Sequence, residues 1–77
     1  MKVFVLTETD STAPTWCYNE CFTDEERDTE RLKELYHENI TERQELVVKA
    51  ELNDKNAYGE MVDGIIIAWN IKEVEIN

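Results

Sequence analysis

The sequence predicts an α+β domain in the order β-β-α-β-β, with one amphipathic helix packed on a roughly four-stranded, largely antiparallel sheet. Three observations lead there. Residues 23–40 carry a single run of helical periodicity behind a capping signal. Four other stretches alternate or run apolar at strand length. The chain has 77 residues, and a domain this short buries only about 60% of the surface its unfolded form exposes. One helix covering one sheet face is then the economical way to close a core. No internal repeat divides the chain, so residues 1–77 read as one domain.

Lys2–Thr7 reads as the first strand. Val3 and Val5 alternate with Phe4 and Leu6, so both faces are apolar, as in a central strand. Residues 8–14, ending in Pro14, read as a loop. Thr15–Phe22 reads as a second strand and hairpin partner, with Trp16, Tyr18 and Phe22 on one parity and Cys17 and Cys21 on the other. Thr23 with Glu26 three residues on makes a capping box, and Asp24, Glu25 and Glu26 complement the helix dipole. The helix is expected to run to Glu38 or Asn39, burying Leu32, Leu35, Tyr36 and Ile40, with Asn39 in a left-handed terminating conformation. Thr41 with Gln44 could cap a further short turn.

Glu45–Asn53 is the clearest strand by alternation: Leu46, Val48, Ala50 and Leu52 share one face. Residues 54–59 read as a turn, and residues 60–63 as a strand continuation or a short helical turn before the Asp63-Gly64 break. Ile65–Ile76 reads as a long final strand with its apolar run central. Its apolar parity switches between Ile71 and Val74, which predicts a bulge near Ile71-Lys72-Glu73. Trp16 and Trp69 are expected in the core and Tyr58 at the surface.

Eighteen acids against eight bases give a net charge of −10. Such a charge repels nucleic acid and anionic membranes and favours basic partners. No apolar run approaches the roughly 18 residues of a membrane span. The apolar stretch after Met1-Lys2 is short for a signal peptide and lacks a small-residue cleavage site, so a cytoplasmic protein is expected. More than half of the excess lies in residues 20–45, which hold ten acids and four bases.

Within that stretch Glu26, Glu30, Glu34 and Glu38 stand four apart. They form a row about 18 Å long on the helix face opposite Leu32, Leu35 and Tyr36. Like charges at this spacing cost a few tenths of a kcal/mol per pair, so helix stability alone does not select them. A basic protein surface would, including one that otherwise holds phosphates. The plain alternative is a solvated helix face that keeps the protein soluble.

Cys17, Cys21 and His37 are the other reactive side chains considered. Two cysteines four apart in a strand lie about 13 Å apart, beyond disulfide reach, although a tight loop would permit a bridge. With His37 and an acid they could make a zinc site, but no ligand spacing supports one. His37 suits the negative end of the helix dipole. There is no nucleophile motif and no Gly-rich phosphate loop, so neither an enzyme nor a cofactor is expected. Asn39-Ile40-Thr41 matches a glycosylation acceptor, a pattern common by chance.

Met1-Lys2-Val3-Phe4-Val5-Leu6-Thr7, Cys21-Phe22-Thr23-Asp24-Glu25-Glu26-Arg27 and Trp69-Asn70-Ile71-Lys72-Glu73-Val74-Glu75-Ile76 carry a resemblance over less than a third of the chain. In these stretches the protein resembles a loose group of short α+β proteins encoded by bacteriophages and other mobile elements. That group has no common activity, so no functional residues carry over. The resemblance implies a small accessory protein, and by analogy of size and charge an inhibitor of a host defence protein.

The leading expectation is therefore a non-enzymatic module whose acidic helix face binds a basic protein partner, with no direct contact to nucleic acid or membrane. A second is a homo-oligomeric structural or accessory protein, joined through its sheet edge or the Trp16–Tyr18 strand. A third is a small metal protein or enzyme using Cys17, Cys21 and His37.

Overall fold

The computed structural model describes residues 1–12 and 17–76, with the backbone alone at Cys17 and Tyr18. The elements run β1 (Lys2–Asp10), β2 (Cys17–Phe22), α1 (Glu25–Asn39), a 3-10 segment (Thr41–Leu46), β3 (Val47–Leu52), β4 (Asn56–Met61) and β5 (Ile66–Glu75). The strands form one antiparallel sheet in the order β2-β1-β5-β4-β3.

The expected four-stranded β-β-α-β-β order is thereby corrected to five strands in the order β-β-α-β-β-β. The missed strand is β4, whose Asn56-Ala57-Tyr58-Gly59 has the composition of a turn. The true turn is shorter. The Asn53 amide donates to the Asn56 carbonyl at 2.8 Å, and the two side-chain amides join at 2.8 Å. Tyr58, expected in an exposed turn, sits half-buried in a strand.

The last strand is central as expected, but its bulge is not where the parity switch put it. β1 and β5 pair without a register shift from Lys2↔Glu75 to Asp10↔Ile67. Trp69 and Ile71 face the helix, while Val74 lies opposite Val3 on the other face, where Val3 is buried. The far face thus keeps a small apolar contact of its own, and the strand need not kink. The irregularity falls instead in β3, between Val47 and Lys49. β1 is longer than expected, taking in residues 8–10 that read as loop. Pro14 and Trp16 lie outside the described residues.

The helix covers one face. Phe4 and Leu6 from β1, Trp69 and Ile71 from β5, and Ala57 and Met61 from β4 meet Leu32, Leu35 and Ile40. Tyr36 packs at the margin, its ring 6.3 Å from Trp69 in an edge contact. The N-cap is Asp24 rather than Thr23: its carboxylate accepts the Glu26 amide at 2.9 Å. Asn39 does not turn left-handed, since no described non-glycine residue has a positive φ. Its side-chain amide donates to the Leu35 carbonyl at 2.8 Å instead, and a 3-10 segment continues the chain.

Gly59 lets the end of α1 approach the sheet. A Cβ there would stand 2.0 Å from Ile40 Cδ1, so the buried isoleucine would have to move. Gly59→Ala is therefore expected to destabilise the protein by about 1–2 kcal/mol through overpacking. Ile40→Val in the same chain removes the clashing methyl and should recover part of the loss. Urea unfolding of the two variants checks this, and a Gly59→Ala protein as stable as wild type would contradict the contact.

Candidate acidic helix face

Packing of Leu32 and Leu35 on the sheet fixes the rotation of α1. The four-residue spacing then places Glu26, Glu30, Glu34 and Glu38 in solvent, and all four are exposed. Glu34 accepts from Arg31 at 3.1 Å, and Arg31 also reaches Glu20 on β2 at 3.2 Å. Among the described residues Glu26, Glu30 and Glu38 form no ion pair. The structure thus brings the four predicted residues into one continuous row and leaves most of its charge uncompensated.

The N-terminal half of the row borders an open groove of about 440 Å³ between α1 and the β3–β4 turn. Glu25, Glu26, Glu30 and Asp54 line it together with Thr29, Lys33 and Lys55. Lys55 is engaged from inside: its ammonium pairs with Glu25 and lies 5.6 Å from the Phe4 ring centroid. The groove therefore keeps a negative balance. Sequence spacing could not show it, because Asp54 and Lys55 arrive from a turn some 25 residues away.

Asp28 is a further residue, one that the sequence pattern did not single out. It lies in the buried stripe with Leu32 and Leu35 and is 0% exposed. Neither carboxylate oxygen has a hydrogen-bond partner among the described residues. Burial pushes its pKa above the ordinary carboxylate value, Lys55 pulls it down, and Glu20 and Glu25 push it further up. The spacing 28-32-35 was the available signal, since i, i+4, i+7 positions share a helix face.

The remaining candidates are not gathered. Cys21 is exposed on the sheet face away from the helix, opposite Val5. Cys17 pairs with Thr9 at the other end of β2. His37 sits in the last turn of α1, with Nε2 3.6 Å from Glu42. Among the described residues no group of three or more His, Cys, Asp or Glu side chains could hold a metal ion. No helix of the described residues is long and apolar enough to cross a membrane. Searches among family models, curated proteins and solved structures each returned no match to this chain.

Proposed function

We propose that the protein is a non-enzymatic binding module that docks the exposed face of α1 on a basic surface of another protein. The observation that carries this reading is the row itself. Four carboxylates stand at one-turn intervals in solvent, three of them without an ion pair among the described residues. They continue into a groove that is negative on balance. Lysine and arginine side chains spaced along a nucleic-acid-binding surface complement such a row, because carboxylates can occupy the places of phosphates. An inhibitor of a host defence protein would act in this way, by covering the surface its nucleic acid needs.

The test compares wild type with the E26Q/E30Q/E34Q/E38Q variant. Both are used as bait, retained proteins are identified by mass spectrometry, and affinity is then measured against salt. The variant loses like-charge repulsion along the helix, so it is expected to fold at least as well as wild type. If each exposed charge contributes about 0.5 kcal/mol, the affinity for a basic partner falls about thirtyfold, and the salt dependence flattens. Equal retention of the same basic protein by both baits would make the row a solvated face.

A further inference from the structure

We propose that the protein forms a two-fold dimer by antiparallel pairing of β3 with β3 of a second copy, joining two sheets into one of ten strands. β3 is one edge of the sheet. From Val48 to Leu52 every residue is exposed, with Val48 at 63% and Leu52 at 41%. An exposed edge strand with outward backbone groups is a template for another strand.

The register follows from the backbone. The Asn53 amide bonds inward to β4. In an antiparallel ladder, inward and outward backbone groups alternate along the strand. With Glu51 opposite Tyr58 and Leu52 opposite Ala57, the amides and carbonyls of Leu52 and Ala50 therefore point out of the sheet. A two-fold axis at Ala50 brings these free groups together. Ala50 lies opposite the partner's Ala50 and exchanges two backbone hydrogen bonds with it. Leu52 lies opposite the partner's Val48.

The same register places Lys49 opposite the partner's Glu51, and Glu51 opposite the partner's Lys49, in the closely spaced non-hydrogen-bonded positions. Within one chain Lys49 has no ion pair among the described residues. From Lys49 to Glu51 the strand is thus complementary to itself in charge and in backbone bonding, and the irregularity of β3 lies outside this stretch, between Val47 and Lys49. This self-complementarity selects a second copy as the occupant. A lysine on an edge strand ordinarily repels a second strand, but here each lysine meets a carboxylate. Because the axis is perpendicular to the sheet, both copies of α1 stand on the same side.

Sedimentation equilibrium over a concentration series tests the proposal, and wild type is expected to reach twice the chain mass. K49E puts acids at both facing positions and E51K puts bases there. Each variant alone should dimerise about tenfold more weakly, since like charges directly opposite are destabilising. Mixed in equal amounts, the two should form a heterodimer at wild-type strength, because each charge then faces its opposite. Ala50→Pro removes an amide that the β3–β4 ladder does not use, and should abolish the dimer while the monomer stays folded by circular dichroism. Wild type that remains a monomer at every concentration would overturn the proposal. So would a dimer that the charge variants leave unchanged, or one weakened by them that mixing does not restore.

Discussion

Trp69→Ala is expected to cost about 3–5 kcal/mol, the range for removing a large buried aromatic side chain. A domain of this length holds roughly 4–11 kcal/mol in all, so the variant should lose a large part of its stability. Trp69 is 1% exposed on the central strand, between Glu8 of β1 and Ala57 of β4. It is the bulk that joins both halves of the sheet to the helix. Its indole N–H donates to the Glu8 carboxylate at 2.6 Å, so the ring's one polar atom is satisfied. Trp69→Phe keeps most of the apolar volume and loses that bond, and should cost about 1–2 kcal/mol. Urea unfolding followed by circular dichroism separates the two variants. An alanine variant that loses less than a phenylalanine-sized effect would mean that the ring does not hold the core. The consequence reaches the binding face, because α1 is oriented only by what it packs upon.

The helix was the most legible element, because several signals agree over one stretch. A cap, an acidic first turn and a 3.6-residue stripe all mark residues 24–40. The one-residue error at the cap has a plain cause: Thr23 and Asp24 are both good caps, and composition does not say which carboxylate or hydroxyl will face the Glu26 amide. β4 was illegible for a different reason. Its inward positions are Ala57, Gly59 and Met61, and Gly59 lacks a side chain where Ile40 lies directly on it. Close packing wrote a turn-like composition into a strand. At β3 the strand was legible and its burial was not. Alternation implied a covered face, yet Ala50 and Leu52 are exposed, and nothing among the described residues covers them. At β5 the parity switch was real, but it marked a second apolar contact, Val3 with Val74, rather than a bulge.

The site divides along the same line. The row of Glu26, Glu30, Glu34 and Glu38 depends on one helix's periodicity, and that is local information. The groove beside it depends on where the β3–β4 turn lands, and that is tertiary. Asp28 lay between the two. Its position in the stripe was readable, but an acid at a core position contradicts the pattern that identifies the core, so the charge prevailed over the spacing.

Asp28→Leu is expected to stabilise the protein by about 1–3 kcal/mol at neutral pH, the usual cost of a buried polar group left without a partner. The pH dependence carries the sign. The folded-state pKa of Asp28 is raised by burial, against the pull of Lys55. Well below the ordinary aspartate value, about 3.9, the group is protonated in both states and its ionisation contributes no penalty. As pH rises through that value the unfolded chain ionises first, so stability falls until the raised folded pKa is passed. Acidification from neutral pH should therefore narrow the stability gap between wild type and Asp28→Asn, read from urea midpoints at a series of pH values. A gap that stays constant with pH, or a wild type more stable than both variants at neutral pH, would contradict the buried carboxylate. Lys55 supplies an internal control, since it is the cation that favours ionised Asp28. Lys55→Met should destabilise wild type more than it destabilises Asp28→Asn wherever Asp28 is ionised in the folded state, because only wild type has a carboxylate there for the Lys55 charge to favour. That difference also measures how strongly the acidic groove above α1 and the core beneath it share one electrostatic environment.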